Sequence, residues 1–328
     1  MANYLEDYFR NVRQAREGTL VFDTIFFGRP GGIGRDSDYI YSSLSKHKLS
    51  LLKYKNQFTT EKENVFIGPS TFALHISSLL NVYIPKIPVP AGMSIWFPQF
   101  TSWDIRERDT QDFIRVHDLF PLTNPEWFPL KQHLLFKRNI KHINAKTRFV
   151  ANSSYTADTL LKSLGLDINQ IDVLPCKVEP LSTNRCENCD GCNLRIENKF
   201  ALSVGTIEPR KNYTFLIQNW VINAGPLKLI IVGRKGWKAS GVLKILAANN
   251  ANVIWLQNTC DGSLQNLYKN CEYFISASLD EGFDLPTSEA NLYGCKLVLS
   301  DIPVHRKMYT NTGVLFSKDS GDEMRKLL

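Results

Sequence analysis

The sequence predicts an α/β fold of two domains, each built around a parallel sheet. Two short apolar runs, residues 200–204 and 297–300, have the length and composition of buried parallel strands. A similar run at residues 273–278 is followed by a turn and by a helical segment that Gly294 ends. The 328 residues are enough for two domains of ordinary size, each with its own core.

The first domain is predicted over residues 19–178, after an N-terminal extension of residues 1–18. Its strands are expected at residues 20–27, 113–116, 147–152 and 171–174. Its helices are expected at residues 36–46 and 153–164, the second capped by Ser153 or Ser154. Gly31 and Gly32 lie in a glycine-rich turn, which lets a backbone approach a ligand closely or merely makes a tight connection.

His117 and Asp118 follow the strand predicted at residues 113–116. Open α/β sheets bind ligands at the carboxyl ends of their strands, and this position favours a functional role for His117. A lone histidine is otherwise more often a satisfied structural residue. For Asp118, acceptor binding and capping of the following turn are both open.

The second domain is predicted over residues 199–328, after a cysteine-containing linker of residues 179–198. A strand at residues 200–204 and a loop at 206–212 lead into a helix at 213–223. Arg210 and Lys211 are expected at the N-terminus of that helix, where the dipole and both cations would hold a diphosphate; a solvated surface pair is the alternative. Residues 318–328 leave room for one short helix, so we expect a truncated chain or one module of a longer protein.

The most informative segment is residues 281–289, in which Glu281 and Glu289 frame the turn Gly282-Phe283-Asp284-Leu285-Pro286. The segment is expected at a strand-to-helix turn, where backbone N–H groups favour phosphate. A carboxylate before the turn and a second one inside the helix can bind hydroxyls on either side of that phosphate. Hydroxyls that flank a diphosphate are the signature of a sugar nucleotide.

The linker contains three cysteines at two-residue gaps, Cys186, Cys189 and Cys192, and Cys176 lies ten positions earlier. This C-x2-C spacing suits structural zinc, with Cys176 or another residue as the fourth ligand. Reduced thiols in a polar insertion are the alternative interpretation. Such a metal would be a local addition outside the catalytic centre.

Residues 129–146 form the conspicuous charge feature of the sequence. Five lysines and arginines and two histidines alternate there with apolar residues, and no acidic residue interrupts them. A solvated helix face is one interpretation. The other is a basic amphipathic helix on an anionic membrane or against a lipid-diphosphate acceptor, which the net charge of +7 supports. No nucleic-acid-binding module accompanies the charge.

The composition, with 43% hydrophobic and 22% charged residues, is that of a globular protein. No apolar run is long enough for a transmembrane helix, and the N-terminus lacks the basic start and apolar centre of a secretory signal. An odd count of seven cysteines fits a reducing compartment better than a disulfide framework. We therefore expect a cytoplasmic protein, with peripheral binding to the inner face of the plasma membrane as an additional alternative.

Four sequence blocks, in register over residues 20–320, carry a resemblance to retaining glycosyltransferases of family 4, whose GT-B fold has two Rossmann-like domains facing across a cleft. The segment at 281–289 is similar to the family's E-x7-E motif. Residues 204–212 and 231–237 resemble its "VGT-x-E-PRKN" and "hVGxxGW" blocks. Residues 116–129 resemble the "HDL…PEW" block of bacterial mannosyl- and rhamnosyl-transferases of surface polysaccharide synthesis.

The resemblance implies a role for each matching residue. Glu281 would contact the transferred sugar, His117 would contact the donor sugar and organise the reaction centre, and Lys211 would bind the diphosphate; these are the expected catalytic residues. Glu289 would bind the ribose hydroxyls. The full set expected to bind the donor is Gly31, Gly32, Gly205, Thr206, Arg210, Lys211, Gly282, Phe283, Asp284, Leu285 and Glu289.

The resemblance also implies the reaction: transfer of a hexosyl group with retention of configuration, by a front-face mechanism that needs no cofactor and no bound divalent ion. GDP-mannose or dTDP-rhamnose are the favoured donors, and a UDP-sugar is also compatible. The acceptor would be a glycan or an undecaprenyl-diphosphate-linked sugar, in the synthesis of lipopolysaccharide, O-antigen or capsule.

Two residues depart from the family's pattern. Asp284 occupies the usual glycine position of the "EGFGLP" turn, where a carboxylate would crowd and repel a phosphate or would point away and accept a hydrogen bond from the turn. Thr206 replaces an arginine that many relatives carry. A catalytically weak GT-B module that serves as a binding or assembly domain is therefore the rival hypothesis. A nicotinamide oxidoreductase is disfavoured, because the loop after Val204 lacks G-x-G-x-x-G.

Overall fold

A computed structural model of the chain describes residues 7–12, 20–26, 31–44, 49–54, 65–68, 87–195, 199–223, 227–249 and 251–327. The chain divides into two compact units. The first comprises Met1–Pro125 and Leu130–Lys177, and the second comprises Glu126–Pro129 and Val178–Leu328. The segment Glu126–Pro129, which the sequence places inside the first domain, thus groups with the second unit.

The first unit contains a parallel sheet in the order β3-β2-β1-β4-β5-β6-β7. Its strands are β1 Leu20–Asp23, β2 Ser50–Tyr54, β3 Val65–Gly68, β4 Ser94–Phe97, β5 Phe113–Val116, β6 Arg148–Ala151 and β7 Ile171–Val173. Its helices are α1 Gly32–Leu44, α2 Phe120–Thr123, α3 Leu130–Lys141 and α4 Ser154–Leu164. Ser153 caps α4 by accepting a hydrogen bond from the Thr156 backbone N–H at 3.0 Å, which settles the choice between the two serines.

The second unit contains a parallel sheet in the order β10-β9-β8-β11-β12-β13. Its strands are β8 Phe200–Val204, β9 Lys228–Val232, β10 Val253–Leu256, β11 Tyr273–Ser276, β12 Leu297–Ser300 and β13 Gly313–Phe316. Its helices are α5 Asp190–Asn193, α6 Tyr213–Asn223, α7 Ser240–Ala248, α8 Asp261–Asn270, α9 Leu285–Leu292, α10 Pro303–Tyr309 and α11 Gly321–Lys326.

The inner strands of both sheets are buried on both faces, which explains why their sequences are predominantly apolar. Strands β1, β4, β5 and β12 are buried along their whole length. The strand order reverses direction between β1 and β4 in the first unit and between β8 and β11 in the second. Ligands of open α/β sheets bind outside the carboxyl ends of the strands at such a reversal. The predicted fold class, with two parallel α/β domains, is confirmed.

Several elements differ from the expectation in extent. Strand β1 ends at Asp23, where the side chain accepts a hydrogen bond from the Ile25 N–H at 3.0 Å and turns the chain, while Phe27 lies outside the described residues. Residues 7–12, within the segment expected to be an extension, are helical, and Phe9 and Val12 are buried in a core of the first unit.

The basic segment at residues 129–146 forms helix α3, which is shorter than the segment itself. Acidic residues that are distant in sequence partly neutralise the end of the basic segment, after the helix. Lys146 pairs with Asp109, and His142 Nδ1 lies 3.1 Å from Asp104 Oδ2. Among the described residues, no helix is long and apolar enough to cross a membrane.

Candidate functional site

The candidate site lies where strands β8 and β11 of the second unit end. Gly205 and Thr206 directly follow β8, and Ser278 and Glu281 follow β11 two and five residues after its last residue, Ser276. Because the two strands are neighbours and parallel, their carboxyl ends lie at one edge of the sheet. This is the strand reversal at which ligand binding is expected.

Glu281 is buried and accepts hydrogen bonds on both of its carboxylate oxygens. Its Oε1 atom lies 2.7 Å from Lys211 Nζ and accepts a hydrogen bond from the Ser278 hydroxyl at 2.8 Å. Its Oε2 atom accepts a hydrogen bond from Arg210. The structure therefore brings together the sequence-predicted carboxylate and both sequence-predicted cations.

Arg210 and Lys211 lie on a 3₁₀ turn, Pro209–Lys211, just before helix α6, which begins at Tyr213 as predicted. Asn212 separates the turn from the helix because its backbone is left-handed, with a φ of 53°. The dipole of α6 therefore does not place these cations. Instead Arg210 donates to Glu208 Oε1 at 2.7 Å and to the Asp280 carbonyl at 3.2 Å, in addition to Glu281.

Asp284 points into the protein, which answers the question raised by its replacement of glycine. Its Oδ1 accepts a hydrogen bond from Lys211 Nζ at 3.2 Å. Its Oδ2 accepts hydrogen bonds from the Thr287 hydroxyl and, at 3.2 Å, from the Ser276 hydroxyl. The same oxygen lies 2.9 Å from His305 Nε2. The carboxylate is thus turned away from the turn's outer face and satisfied by four partners.

The backbone of Asp284 is left-handed, with a φ of 59° and a ψ of 68°, and it immediately precedes helix α9. Glycine adopts this conformation without cost, and aspartate is among the residues that tolerate it. Burial alone raises the pKa of Asp284, but the charge of Lys211 and the hydrogen bond from His305 outweigh it and hold the pKa well below its usual range. Asp284 is therefore a buried, ionised carboxylate.

His305 is a member of this network that the sequence analysis did not identify. It is fully buried in helix α10, with Nδ1 2.8 Å from the Ser300 carbonyl and Nε2 facing Asp284. Both ring nitrogens of His305 thus face oxygen atoms, one of the backbone and one of Asp284. The available signal was weak: a histidine two residues after Pro303, close behind the end of β12.

Short contacts join three carboxylates to two cations and a histidine in one buried network: Glu208, Glu281 and Asp284 with Arg210, Lys211 and His305. Burial lowers the pKa of Lys211, but Asp284 and Glu281 together raise it above the usual value, so the ammonium stays charged. Removal of one member leaves an unpaired buried charge, which is costly.

A close backbone approach fixes the loop after β8. A Cβ atom on Gly233 would lie 1.9 Å from the Gly205 carbonyl oxygen, and one on Gly205 would lie 2.9 Å from Lys211 Cε. Tyr213 closes the same loop by donating to the Gly205 carbonyl at 3.1 Å. Burial raises the pKa of Tyr213 to about 12, so its hydroxyl keeps its proton.

The rest of the predicted donor-binding turn leads into helix α9. Gly282 and Phe283 are buried, Leu285 is half-buried, and Thr206 is half-buried on the neighbouring loop. Glu289 lies one turn into the helix and is buried, and its Oε2 accepts a hydrogen bond from the Tyr268 hydroxyl at 2.9 Å. The two glutamates of the motif thus lie on either side of one strand-to-helix turn, as predicted.

In the first unit, His117 follows β5, and its Nε2 atom donates to the Pro98 carbonyl at 3.2 Å. Burial lowers the pKa of His117 to about 4 despite the neighbouring Asp36 carboxylate, so the ring is neutral at pH 7. Asp118 accepts a hydrogen bond from the Phe120 backbone N–H at 3.2 Å and caps the following turn. Gly31 and Gly32 are exposed at the start of α1.

For the fourth cysteine ligand, which the sequence leaves open as Cys176 or another residue, the structure favours another residue. Cys176 belongs to the first unit, where its sulfur accepts a hydrogen bond at 3.5 Å from Arg115, the partner of the buried Asp36. Cys186, Cys189 and Cys192 belong to the second unit, and the fourth thiol beside them is Cys260. Cys260 is 68 positions from Cys192, so the sequence alone did not reveal this partner.

Comparison with known proteins adds a family to this geometry. Residues 192–328 match the family described as "Glycosyl transferases group 1". The chain is 28% identical over 211 residues to the O-antigen chain mannosyltransferase RfbU of Salmonella typhimurium, an alignment that covers 63% of this chain. It is 27% identical over 241 residues to the serotype-specific mannosyltransferase WbdA of Escherichia coli, over 64% of this chain. The chain spans 56% of the length of the first relative and 28% of the second.

Solved structures with a similar fold include WaaG, described as a glycosyltransferase involved in lipopolysaccharide biosynthesis, with a TM-score of 0.64 and 12% identity. Anabaena Alr3699/HepE in complex with UDP and glucose has a TM-score of 0.65 and 14% identity. Each alignment covers 94% of this chain and 88% of the other. At such identities the likeness concerns the fold alone. The chain has the GT-B fold, and its residues 192–328 are similar to the group 1 glycosyl transferases.

Proposed function

We propose that this chain is a retaining, metal-independent glycosyltransferase that moves a hexose, with mannose or rhamnose favoured, from a nucleotide-sugar to a glycan or lipid-linked acceptor in cell-surface polysaccharide synthesis. The observation that carries the proposal is the buried carboxylate Glu281 between Arg210 and Lys211 at the carboxyl ends of β8 and β11. Cleavage of a glycosyl–phosphate bond needs a group that binds the sugar hydroxyls and groups that stabilise the leaving phosphate. A carboxylate beside two cations provides both.

Arg210 and Lys211 stabilise the negative charge that develops on the departing diphosphate. The ammonium group of Lys211 has three hydrogens, and contacts with Glu281 and Asp284 use two of them. The third is a donor for a phosphate oxygen. Because Glu281 and Glu208 already pair with these cations, the diphosphate competes with both carboxylates for them, and Glu281 is released to contact sugar hydroxyls.

Other residues keep the roles that the family resemblance implies. Glu289 binds the ribose hydroxyls, and the turn at Gly282 and Phe283 contributes backbone N–H groups to the diphosphate. His117 contacts the donor sugar as a neutral imidazole, and its Nδ1 atom carries no hydrogen because Nε2 donates to Pro98. The acceptor attacks on the face from which the diphosphate leaves, which gives retention.

The relatives and the motifs support the proposed choice of nucleotide-sugar donor. The similar proteins RfbU and WbdA are both named mannosyltransferases, which favours GDP-mannose, with dTDP-rhamnose close behind. A UDP-sugar is also compatible, since a neighbour in fold is described in complex with UDP and glucose. A relative of Campylobacter jejuni, 29% identical over 109 residues, is named as acting on a diphospho-undecaprenol-linked sugar, so an undecaprenyl-diphosphate-linked acceptor fits the same class.

Helix α3 is the proposed contact with an anionic membrane on the cytoplasmic side. Its outer stripe consists of Leu130 and Leu134, which are 71% and 50% exposed, followed by the exposed Lys137 and Lys141. Residues spaced in this way lie on one face of a helix. Exposed leucines beside lysines are the pattern of a helix that lies in the interface of an anionic bilayer.

The experiment that tests the function compares Lys211→Ala and Glu281→Gln with the wild-type chain in donor turnover. Loss of one preorganised group that stabilises a developing charge lowers kcat by roughly 10²–10³. Lys244→Ala, at an exposed lysine of helix α7, is the matched control and retains full turnover. Near-native turnover by folded Lys211→Ala and Glu281→Gln variants would contradict the site. Donor binding without turnover by the wild-type chain would favour the binding module over the enzyme.

A further inference from the structure

Four cysteine thiols lie together in the second unit, outside the site described above. Cys186, Cys189 and Cys192 come from the linker, and Cys260 is the residue directly before helix α8. The four sulfur atoms all lie within 4.8 Å of one another, and the Sγ atoms of Cys192 and Cys260 are 3.7 Å apart. Four sulfurs at 2.3 Å from one Zn²⁺ form a tetrahedron whose edges are roughly 3.8 Å. The cluster is therefore close to the dimensions of a zinc tetrathiolate.

Hydrogen-bonding groups lie beside these sulfur atoms. The Cys260 backbone N–H donates to Cys189 Sγ at 3.4 Å, and the Cys186 N–H donates to Cys260 Sγ at 3.5 Å. The Ser263 hydroxyl lies 3.0 Å from Cys192 Sγ and 3.4 Å from Cys260 Sγ. Hydrogen bonds of this kind orient metal-bound thiolates and stabilise their charge.

The surrounding backbone is built to hold the linker against the start of α8. The Asp190 carboxylate accepts hydrogen bonds from the backbone N–H groups of Gln257 at 2.8 Å and Asn258 at 3.0 Å. Gly262, in the first turn of α8, allows a close approach, since a Cβ atom there would lie 2.6 Å from the Asn184 carbonyl oxygen. Two separate parts of the chain are thus fixed around the thiols.

We propose that Cys186, Cys189, Cys192 and Cys260 bind one structural Zn²⁺ ion. Binding releases the four thiol protons and changes no oxidation state. Cys189 is buried, Cys192 and Cys260 are half-buried and Cys186 is exposed, so the ion enters from the side of Cys186.

The distances also discriminate between metals. The C-x2-C-x2-C spacing of the linker occurs in iron–sulfur proteins as well. In a [2Fe–2S] or [4Fe–4S] cluster the thiolates are divided among two or four irons, so some of their sulfurs stand further apart than the edge of a single tetrahedron. All four sulfurs here lie within 4.8 Å of one another, which favours a single ion. All four thiolate ligands and no histidine also suit zinc.

The zinc ion would stabilise helix α8, and through it the donor site. Helix α8 carries Tyr268, whose hydroxyl donates to Glu289. It also carries Gln265, whose amide donates to the Leu181 carbonyl of the linker at 3.0 Å. Fixing the linker on α8 therefore helps to hold the tyrosine that orients Glu289. The metal has no part in the chemistry.

The test is elemental analysis of the untagged protein, purified without chelators, with thiols counted in the same sample. We expect one zinc per chain, and loss of it in Cys260→Ser and Cys189→Ser. Cys271→Ser is the matched control, because Cys271 is half-buried beside Cys295 and outside the cluster; it keeps its zinc. Cys176→Ser keeps it as well.

A second measurement does not depend on the folding of a variant. Zinc is removed from the wild-type protein with a chelator and Co²⁺ is added, which gives intense sulfur-to-metal absorption only if several thiolates bind one ion. Absence of stoichiometric zinc together with absence of this absorption would overturn the proposal. Iron with inorganic sulfide would replace it by a cluster, and a thiol count four below the seven cysteines would replace it by disulfides.

Discussion

Replacement of Asp284 by glycine tests how the network at the donor site is held together. Glycine is the residue that relatives usually carry at this turn, so a family-based argument expects the substitution to be harmless or beneficial. The structure predicts the opposite for stability. The Asp284 side chain is buried among Lys211, His305, Thr287 and Ser276, and glycine supplies none of these contacts.

Two opposing effects set the magnitude. Glycine removes the cost of a left-handed backbone, which is about 1–2 kcal/mol for an ordinary residue. Removal of one partner from a buried ion pair costs about 3–5 kcal/mol; here Lys211 loses one of its two carboxylate partners and His305 loses the carboxylate that its Nε2 atom faces. The difference leaves Asp284→Gly less stable by roughly 1–4 kcal/mol.

The comparison with Asp284→Asn separates the two effects. Asparagine tolerates the left-handed backbone and keeps an acceptor oxygen, but it removes the charge. Both variants are therefore expected to be destabilised, and Asp284→Asn less so, since its amide still accepts one hydrogen bond. The lowered pKa of Asp284 also sets how its contribution to the free energy of unfolding depends on pH. This contribution is fully present above the unfolded pKa of about 3.9 and is lost as the pH falls through the pKa of the folded protein.

Differential scanning calorimetry at pH 7 measures the effect. For a unit of this size, a loss of 1 kcal/mol lowers Tm by about 2–4 °C, so Asp284→Gly is expected to lower the Tm of the second unit by roughly 2–16 °C. The reasoning is refuted if Asp284→Gly melts at or above the wild-type temperature. It is also refuted if Asp284→Asn is the less stable variant of the two.

Two further predictions concern the first unit. We expect the pKa of the His117 ring, measured by NMR in the folded protein, to be about 4. A pKa near the ordinary value of about 6.5 would contradict its burial. Because the unfolded chain binds the proton more readily, His117 makes the free energy of unfolding rise with pH between about 4 and 6.5. Lys137→Glu and Lys141→Glu are each expected to weaken cosedimentation with anionic vesicles. Loss of one lysine charge near the membrane, worth roughly 1 kcal/mol, corresponds to about fivefold weaker binding. Lys244→Glu is expected to leave binding unchanged, and equal binding by all three variants would exclude helix α3 as the contact.

The sequence predicts an element well where its neighbours in the chain determine it. Strands β5, β8 and β12 were predicted with their observed ends, because each is a short, predominantly apolar run that follows a charged residue. The turn between Glu281 and Glu289 was also placed correctly, since the strand before it and the helix after it are both local signals.

What depends on tertiary contacts was not predictable. His305 reaches Asp284 across 21 positions of sequence, and Cys260 reaches Cys192 across 68, and no periodicity connects either pair. The orientation of Asp284 was left open for the same reason: whether a carboxylate points outward or inward depends on which cations lie beneath it. The left-handed Asn212, which separates Arg210 and Lys211 from helix α6, has a signal in its residue type that is too weak to interpret alone.

The central claim is that the chain transfers a sugar from a nucleotide-sugar. It is tested most directly by a thermal-shift panel of GDP-mannose, dTDP-rhamnose and UDP-sugars in which release of the nucleoside diphosphate is followed in the same wells. We predict that one donor raises Tm and slowly releases its diphosphate. A well-folded sample that responds to no donor, by neither Tm nor release, would contradict the account.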